Sequence, residues 1–275
     1  MNSSSVPIDR ADPSSKKSYP IKNMDPVRII ARLDIKGPDV VKGVQLEGVR
    51  RVGKPSELAR KYYSQGADEI IFIDSVASLY GRNNILSVVR ETARDVFVPI
   101  TVGGGLRTIE DIKETLRAGA DKVVINTAST QRPEFLREAA ETFGSQCIVL
   151  SVQAMRRDNG QWEAYTDNAR ESAGRDVLEW VIEGQEMGVG EILVTSVNQE
   201  GSKKGFDIQL LEEIHRRVSV PIIASGGAGS PKHVAEIIEK GCADAVACAS
   251  IFHYGICPLT DLKKFLIDAR LAVRS

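Results

Sequence analysis

The sequence predicts a closed (β/α)8 barrel of the TIM type, built from two half-barrel repeats. Eight short apolar runs alternate with eight amphipathic stretches, and each of two glycine-rich turns is followed by a similar downstream segment. The apolar runs are continuous, which is typical of parallel strands covered on both faces. Eight strand-then-helix units in 275 residues agree with the size of such a barrel. An open, doubly wound parallel sheet is the alternative fold.

The predicted strands are runs rich in Val and Ile, and the predicted helices have apolar residues at helical spacing. Thr108 supports one helix start, because a hydroxyl before early acidic residues is a typical N-cap. The strands occupy residues 27–33, 69–74, 98–102, 122–126, 147–153, 191–196, 221–225 and 243–248. The helices occupy residues 55–65, 83–95, 108–118, 133–143, 173–187, 208–218, 231–240 and 258–269.

The two glycine-rich turns predict two phosphate sites. The turn at residues 103–105 is followed by Thr127, and the turn at residues 226–227 is followed by Ser250 at nearly the same spacing. Glycine lets the backbone approach an anion closely, and the next helix start offers free N–H groups. The duplication predicts a substrate with a phosphate at each end, although such turns can also simply join strand to helix. The predicted phosphate-binding residues are Gly104, Gly105, Asn126 and Thr127 in one half and Gly226, Gly227, Ala249 and Ser250 in the other.

An aspartate ends the first predicted strand. Strand alternation places Asp34 on the same side as Arg32, facing the barrel mouth, where barrel enzymes carry their chemistry. Such a carboxylate can serve as a general acid or base. The alternative is a structural ion pair with Arg32 or Lys36. Asp74 is a second acid in a similar position.

Charged residues begin four of the predicted strands, at the opposite end of the barrel. Arg28, Glu69, Lys122 and Glu191 could close the barrel floor as a ring of salt bridges. Taken alone, this pattern is most simply a stabilising plug.

Composition excludes several classes of function. The net charge of -1 gives no overall attraction to nucleic acid or anionic lipid, and no apolar run is long enough to cross a membrane. The four cysteines form no Cys-x-x-Cys pair, which favours buried reduced thiols and a cytoplasmic protein. The three histidines lack metal-ligand spacing. Residues 1–24 are rich in Ser, Lys, Pro and Asp and are interpreted as a disordered extension before a barrel at residues 25–275.

From about residue 27 to residue 271 the chain resembles the cyclase subunit of imidazole glycerol phosphate synthase. The resemblance implies a separate glutaminase partner docked on the N-terminal face, and ammonia that passes through the barrel core. It implies a bis-phosphorylated ribulosyl aminoimidazole-carboxamide substrate, which is converted to imidazole glycerol phosphate and aminoimidazole carboxamide ribotide. No cofactor or metal is implied. The segments that carry the resemblance include RIIARLDIK at 28–36, TVGGGLR at 101–107, GADKVVINTA at 119–128, GEILVTS at 190–196 and IIASGGAG at 222–229.

The resemblance also implies roles for single residues. Arg28, Glu69, Lys122 and Glu191 match the family's ammonia gate. Lys42 matches a loop lysine that closes over the substrate, and Glu200 and Gly201 lie where the family has an Asp-Arg-Asp-Gly-Thr run. Asp34 matches the first of two catalytic aspartates.

The chain departs from the family at the second catalytic aspartate, where it has Gln153. An amide has no useful pKa and cannot act as a general acid or base, a role that contributes roughly 10² to 10⁴-fold to a rate. Arg32 also replaces a small residue beside Asp34. Three interpretations follow. The first is a diverged cyclase subunit in which Asp34 is the acid–base group. The second is a subunit that activates a glutaminase and channels ammonia to a separate sugar-amidating enzyme of surface-polysaccharide biosynthesis, and the third is a phosphate-binding isomerase of the same barrel group. Gln153 counts against the isomerase equally, because that enzyme also needs two aspartates.

Overall fold

The protein is a closed eight-stranded parallel barrel in the computed structural model, which describes residues 25–77 and 85–274. The eighth strand of the barrel pairs with the first, and pairing between Glu191 and Val149 joins the sixth strand to the fifth. The predicted closed barrel is therefore confirmed, and the open sheet is excluded. The barrel strands are β1 (Arg28–Lys36), β4 (Glu69–Asp74), β5 (Ile100–Gly103), β6 (Lys122–Ile125), β7 (Ile148–Arg156), β10 (Glu191–Ser196), β11 (Ile222–Ser225) and β12 (Ala245–Cys248).

Helices cover the outside of the barrel, as the helical spacing predicts. Thr108 forms a capping box with Asp111: its hydroxyl accepts a hydrogen bond from the Asp111 N–H, and the Asp111 carboxylate accepts one from the Thr108 N–H. The helices are α1 (Pro55–Ser64), α2 (Leu86–Thr92), α3 (Ile109–Arg117), α4 (Thr127–Gln131), α5 (Glu134–Phe143), α6 (Val177–Glu186), α7 (Ile208–His215), α8 (Pro231–Lys240), α9 (Ser250–His253) and α10 (Leu259–Asp268), with a 3-10 turn at Ser145–Cys147.

Two antiparallel hairpins rise from the mouth of the barrel. One consists of β2 (Asp39–Val44) and β3 (Glu47–Gly53) and extends β1, and the other consists of β8 (Trp162–Thr166) and β9 (Glu171–Asp176) and extends β7. The sequence prediction of helix at residues 173–176 was wrong, because these residues pair with β8. The predicted extension at residues 1–24 and the predicted helix start at residues 83–84 lie outside the described residues.

Side chains on β1 alternate between the lumen and the outer layer, as predicted. Ile30 packs inside the barrel, whereas Ile29 and Leu33 belong to the outer core under the helices. The lumen is thus filled by a separate apolar layer above the floor. Its members come from seven of the eight barrel strands and are Ile30, Ile71, Val124, Val149, Leu193, Ile223, Ala245 and Ala247.

The cysteine thiols contribute to packing. Cys242, Cys248 and Cys257 are buried, and burial raises the pKa of Cys242 and of Cys248 to about 12, so these two thiols are unreactive at neutral pH. Cys147 is only half-buried. None of the helices in the described ranges has the length and hydropathy that crossing a bilayer requires.

Candidate active site

The floor of the barrel carries a closed ring of four ionised side chains. Arg28 bonds to Glu69 at 2.8 Å and also pairs with Glu191. Lys122 bonds to the same two carboxylates, at 3.1 Å and 2.9 Å. Each residue begins its strand, so the strand register brings the four together despite their separation along the chain. The predicted salt-bridge ring is therefore present, directly below the apolar layer of the lumen.

Above that layer, Arg32 crosses one half of the lumen. Its side chain is 4% exposed, and its Nη1 donates hydrogen bonds to the hydroxyls of Thr195 (2.8 Å) and Ser225 (3.0 Å). Its Nε donates to Asp34 Oδ1 at 2.9 Å. Sequence reasoning did not identify Thr195 and Ser225, although both lie near the C-terminal ends of their strands, where inward-facing polar residues indicate a site.

Asp34 lies between two cations. Lys42 Nζ is 3.6 Å from Asp34 Oδ2, opposite the Arg32 contact. Burial by itself would raise the pKa of Asp34, but the charges of Arg32 and Lys42 and the hydrogen bond from Arg32 outweigh it, so the pKa is lowered from 3.8. The ion pair with Arg32 that the sequence left open is thus formed, and Asp34 is a carboxylate at neutral pH.

Lys42 lies on β2, not in an irregular loop, and is buried. It forms an ion pair with Glu200, which follows β10 and is equally buried. The Gln45 N–H also donates to the Glu200 carbonyl at 2.8 Å. Gly201 is packed so closely on the Gly43 backbone that a Cβ there would clash. The hairpin of β2 and β3 is therefore fastened over the segment after β10.

One predicted phosphate site is open. We call Gly104, Gly105, Asn126 and Thr127 the first anion site. These residues are half-buried and line a cavity of about 320 Å³ at the mouth, at the C-terminal ends of β4 to β7. Glycine is required at position 104, because φ is +102° and a Cβ would meet the backbone of Asp74. Arg107 and Arg132 also line this cavity, and sequence reasoning missed both.

Asp74, the second acid noted in the sequence, stabilises a turn beside this cavity. Its Oδ1 accepts hydrogen bonds from the N–H groups of Val76 and Ala77, each at 3.0 Å. Burial nevertheless raises its pKa. Its carboxylate is therefore committed to the backbone after β4.

Gln153 lines the same cavity and holds the turn of the second hairpin. Its Oε1 accepts a hydrogen bond from the Ala169 N–H at 2.6 Å. Asp167, Asn168 and Ala169 all have positive φ, between +50° and +61°, so this turn is strained without side-chain support. Thr127 Oγ1 donates to Asp167 Oδ1 at 3.3 Å, which joins the turn to the first anion site. Gln153 thus fixes a loop beside the cavity and carries no exchangeable acid proton.

The other predicted phosphate site is covered. We call Gly226, Gly227, Ala249 and Ser250 the second anion site, and all four residues are buried. The Glu200 carboxylate lies against Gly226. The Gly205 N–H donates to the Gly227 carbonyl at 2.9 Å, across the second turn. The sequence repeat predicts two equivalent sites, and the structure shows that their access differs.

A partly buried histidine lies behind the network of charges. Tyr62 Oη and His253 Nδ1 are 2.8 Å apart. Burial, with a further contribution from the charge of Lys42, lowers the pKa of His253 to about 4. This imidazole is therefore neutral at physiological pH, and the described residues contain no cluster of three or more His, Cys, Asp or Glu that could hold a metal ion.

Comparison with known proteins agrees with this geometry. Residues 28–258 match the family model described as histidine biosynthesis protein. The chain is 57% identical over 206 residues to the imidazole glycerol phosphate synthase subunit HisF of Legionella pneumophila, covering 75% of this chain and 97% of that protein. It is 47% identical over 247 residues to the same subunit of Streptococcus sanguinis, covering 90% of this chain and 98% of the relative. The chain is 49% identical over 255 residues to the same subunit of Corynebacterium diphtheriae, covering 90% of this chain and 98% of the relative. The chain therefore belongs to the histidine biosynthesis protein family, among the HisF-type cyclase subunits of imidazole glycerol phosphate synthase.

Proposed function

We propose that this chain is the ammonia-accepting barrel subunit of a glutamine amidotransferase complex of the imidazole glycerol phosphate synthase type. The observation that carries the proposal is the order of features along the barrel axis: a charged ring at the floor, an apolar layer above it, and a cavity with a glycine-rich anion site at the mouth. A glutaminase docked on the N-terminal face would deliver ammonia at the ring. The high identity to HisF subunits supports this arrangement.

The proposed substrate is the bis-phosphorylated ribulosyl aminoimidazole-carboxamide, which reacts with ammonia to give imidazole glycerol phosphate and aminoimidazole carboxamide ribotide, a lyase-type reaction. Each anion site would hold one phosphate. Lys42 would close over the bound substrate, and Asp34 would exchange protons at the reacting centre. The Gly104 turn supports this assignment because it borders the cavity and because a side chain at this position would clash with Asp74.

The same geometry predicts slow ring closure. Gln153 offers no titratable proton, and its Oε1 is bonded to the Ala169 N–H. Asp34 is held as a carboxylate by Arg32 and Lys42, which makes it a poor proton donor. Since one missing acid–base group costs roughly 10² to 10⁴-fold, turnover should lie that far below the rate of a subunit with two catalytic aspartates.

A second candidate function is that of a subunit that activates a glutaminase and passes ammonia to a separate sugar-amidating enzyme of surface-polysaccharide biosynthesis. The contrast between the two ends of the barrel favours it. The ring of Arg28, Glu69, Lys122 and Glu191 is complete. The reaction chamber above it is occupied by Arg32 and lacks the second acid.

One assay separates the two candidates. The purified chain is mixed with a glutaminase subunit, the bis-phosphate substrate and either glutamine or ammonium salt, and the imidazole product and glutamate are followed. The Gln153→Asp variant should raise imidazole formation by about tenfold or more, because it restores an ionisable group. Gln209→Asp, a change of the same chemistry at an exposed position on α7, is the matched control.

The outcomes are distinct. Imidazole formation that rises only in Gln153→Asp supports the cyclase. Glutaminase stimulation without imidazole product from either variant supports the second candidate. If the wild-type chain turns over as fast as a subunit with both aspartates, the argument about Gln153 is wrong. If the chain neither stimulates the glutaminase nor forms product, both candidates fail.

A further inference from the structure

We propose that the resting form of this subunit binds its ligand through a single phosphate, at the first anion site, and that Glu200 keeps the second anion site closed by holding Lys42. The ligand class of the resting form is then a sugar monophosphate. This inference rests on the phosphate binding assigned under the proposed function, and it concerns the order in which the two sites become available.

The first anion site opens onto a cavity, and the hydrogen bond from its Thr127 Oγ1 to the Asp167 carboxylate is long, at 3.3 Å. Gly104, Gly105, Asn126 and Thr127 are half-buried and face the cavity of about 320 Å³. Its volume is at the lower end of the range for small-molecule sites, and suits a phosphorylated pentose. Arg107 and Arg132 lie in the wall together with Asp74 and Asp167, and Arg132 is paired with Glu138 at 2.8 Å.

Other parts of the protein lie close against the second anion site. The carboxylate of Glu200 lies against Gly226. The backbone of Gly205 is hydrogen-bonded to Gly227 and covers it. A phosphate approaching this turn would meet a buried carboxylate at the position where it needs a cation, which opposes binding.

Lys42 is the cation whose ion pairs distinguish the resting form from a form in which the second anion site is open. In the resting form its ammonium lies between the carboxylates of Glu200 and Asp34, and it is 3% exposed. A second phosphate could engage Lys42 only by displacing Glu200, and it would leave that carboxylate buried without its partner. The gain from one ion pair is therefore offset by the loss of another. Arg32 does not substitute for Lys42, because its guanidinium is already bonded to Asp34, Thr195 and Ser225.

The experiment compares two ligands that differ by one phosphate. Ribose 5-phosphate and ribulose 1,5-bisphosphate are titrated into the full-length chain by calorimetry. For the wild-type protein, we expect dissociation constants within about threefold of each other, because only one phosphate is held. In Glu200→Gln, which keeps the side-chain shape and removes the charge, the bisphosphate should bind at least about tenfold more tightly while ribose 5-phosphate is unchanged.

Two controls accompany the titration. Glu47→Gln removes an exposed carboxylate from the same hairpin and should leave both constants unchanged. Thr127→Val, in the first anion site, should weaken both ligands equally.

Each result decides between the alternatives. A wild-type chain that binds the bisphosphate about tenfold or more tightly than the monophosphate has both sites open, which overturns the inference and leaves the proposed function intact. If Glu200→Gln folds and shows the wild-type ratio, Glu200 does not close the site. If neither sugar phosphate binds, the first anion site is not a phosphate site, and the proposed function fails with the inference. Should Glu200→Gln not fold, the wild-type ratio alone is decisive.

Discussion

Replacing Arg32 by methionine tests the buried network that distinguishes this barrel. Methionine has a similar unbranched stem, so it fills most of the space while removing the charge and three hydrogen bonds. Asp34 is then left with Lys42, at 3.6 Å, as its neighbouring cation. Removing one partner of a buried ion pair costs about 3–5 kcal/mol. Because Lys42 remains, we expect the lower end, a loss of about 3 kcal/mol in the free energy of unfolding.

The assay is urea unfolding followed by circular dichroism, with the wild-type slope as a check on two-state behaviour. Arg216→Met is the control, because Arg216 forms its ion pairs with Glu212 and Glu213 on the helix surface. Such a surface pair is worth about 0.5 kcal/mol or less. A loss for Arg32→Met no larger than that of the control would mean that the network does not stabilise the fold.

The pH dependence provides a second check on Arg32→Met. The pKa of Asp34 is lowered in the folded wild-type protein, so its contribution to stability is complete above 3.8 and is lost as the pH falls below that value. Without Arg32, only Lys42 remains close to oppose the effect of burial, so the pKa of Asp34 should be higher than in the wild-type protein, and protonation at acidic pH should remove the cost of the poorly compensated carboxylate. The difference in stability between wild type and variant should therefore shrink as the pH is lowered through the carboxyl range. A difference that stays constant from neutral to acidic pH would refute the assignment to Asp34.

Three further predictions concern other parts of the barrel. The pKa of His253 is about 4 in the folded protein, whereas that of a free histidine is 6.5. The free energy of unfolding should therefore fall by up to about 3 kcal/mol as the pH drops from 6.5 to 4. Thermal unfolding across this interval should show a smaller loss in His253→Gln. Gly227→Ala should lower the free energy of unfolding by several kcal/mol, because φ is +104° and the Cβ would clash with the backbone of Gly205. Its control is Gly37→Ala, where φ is +62° and the space is open, and the loss in the same denaturation assay should be about 1 kcal/mol. Lys122→Met opens the floor ring, so in a complex with the glutaminase the glutamine-dependent turnover should fall while ammonium-dependent turnover persists; equal loss of both would contradict a gating role.

Much of the fold could be predicted from local pattern, and the exceptions have a physical cause. The continuous apolar runs identified the eight barrel strands because burial on both faces leaves few polar positions. Of the hairpin strands, which were missed, β3 is mostly exposed and β9 contains Ser, Gly and Asp, which have low strand propensity. They are strands because β2 and β8 offer them hydrogen-bonding partners, and such pairing is not visible in local composition.

Sequence by itself determined the barrel, the two glycine turns, the floor ring and the family, because each depends on residue type at a strand end or on a repeated segment. Only the tertiary structure decided which of the two anion sites is open and what surrounds Asp34. Lys42 and Glu200 are far apart along the chain, and they meet because the first hairpin folds over the segment after β10. A contact between two such distant side chains depends on how closed strands place their loops, and no spacing in the sequence records that placement.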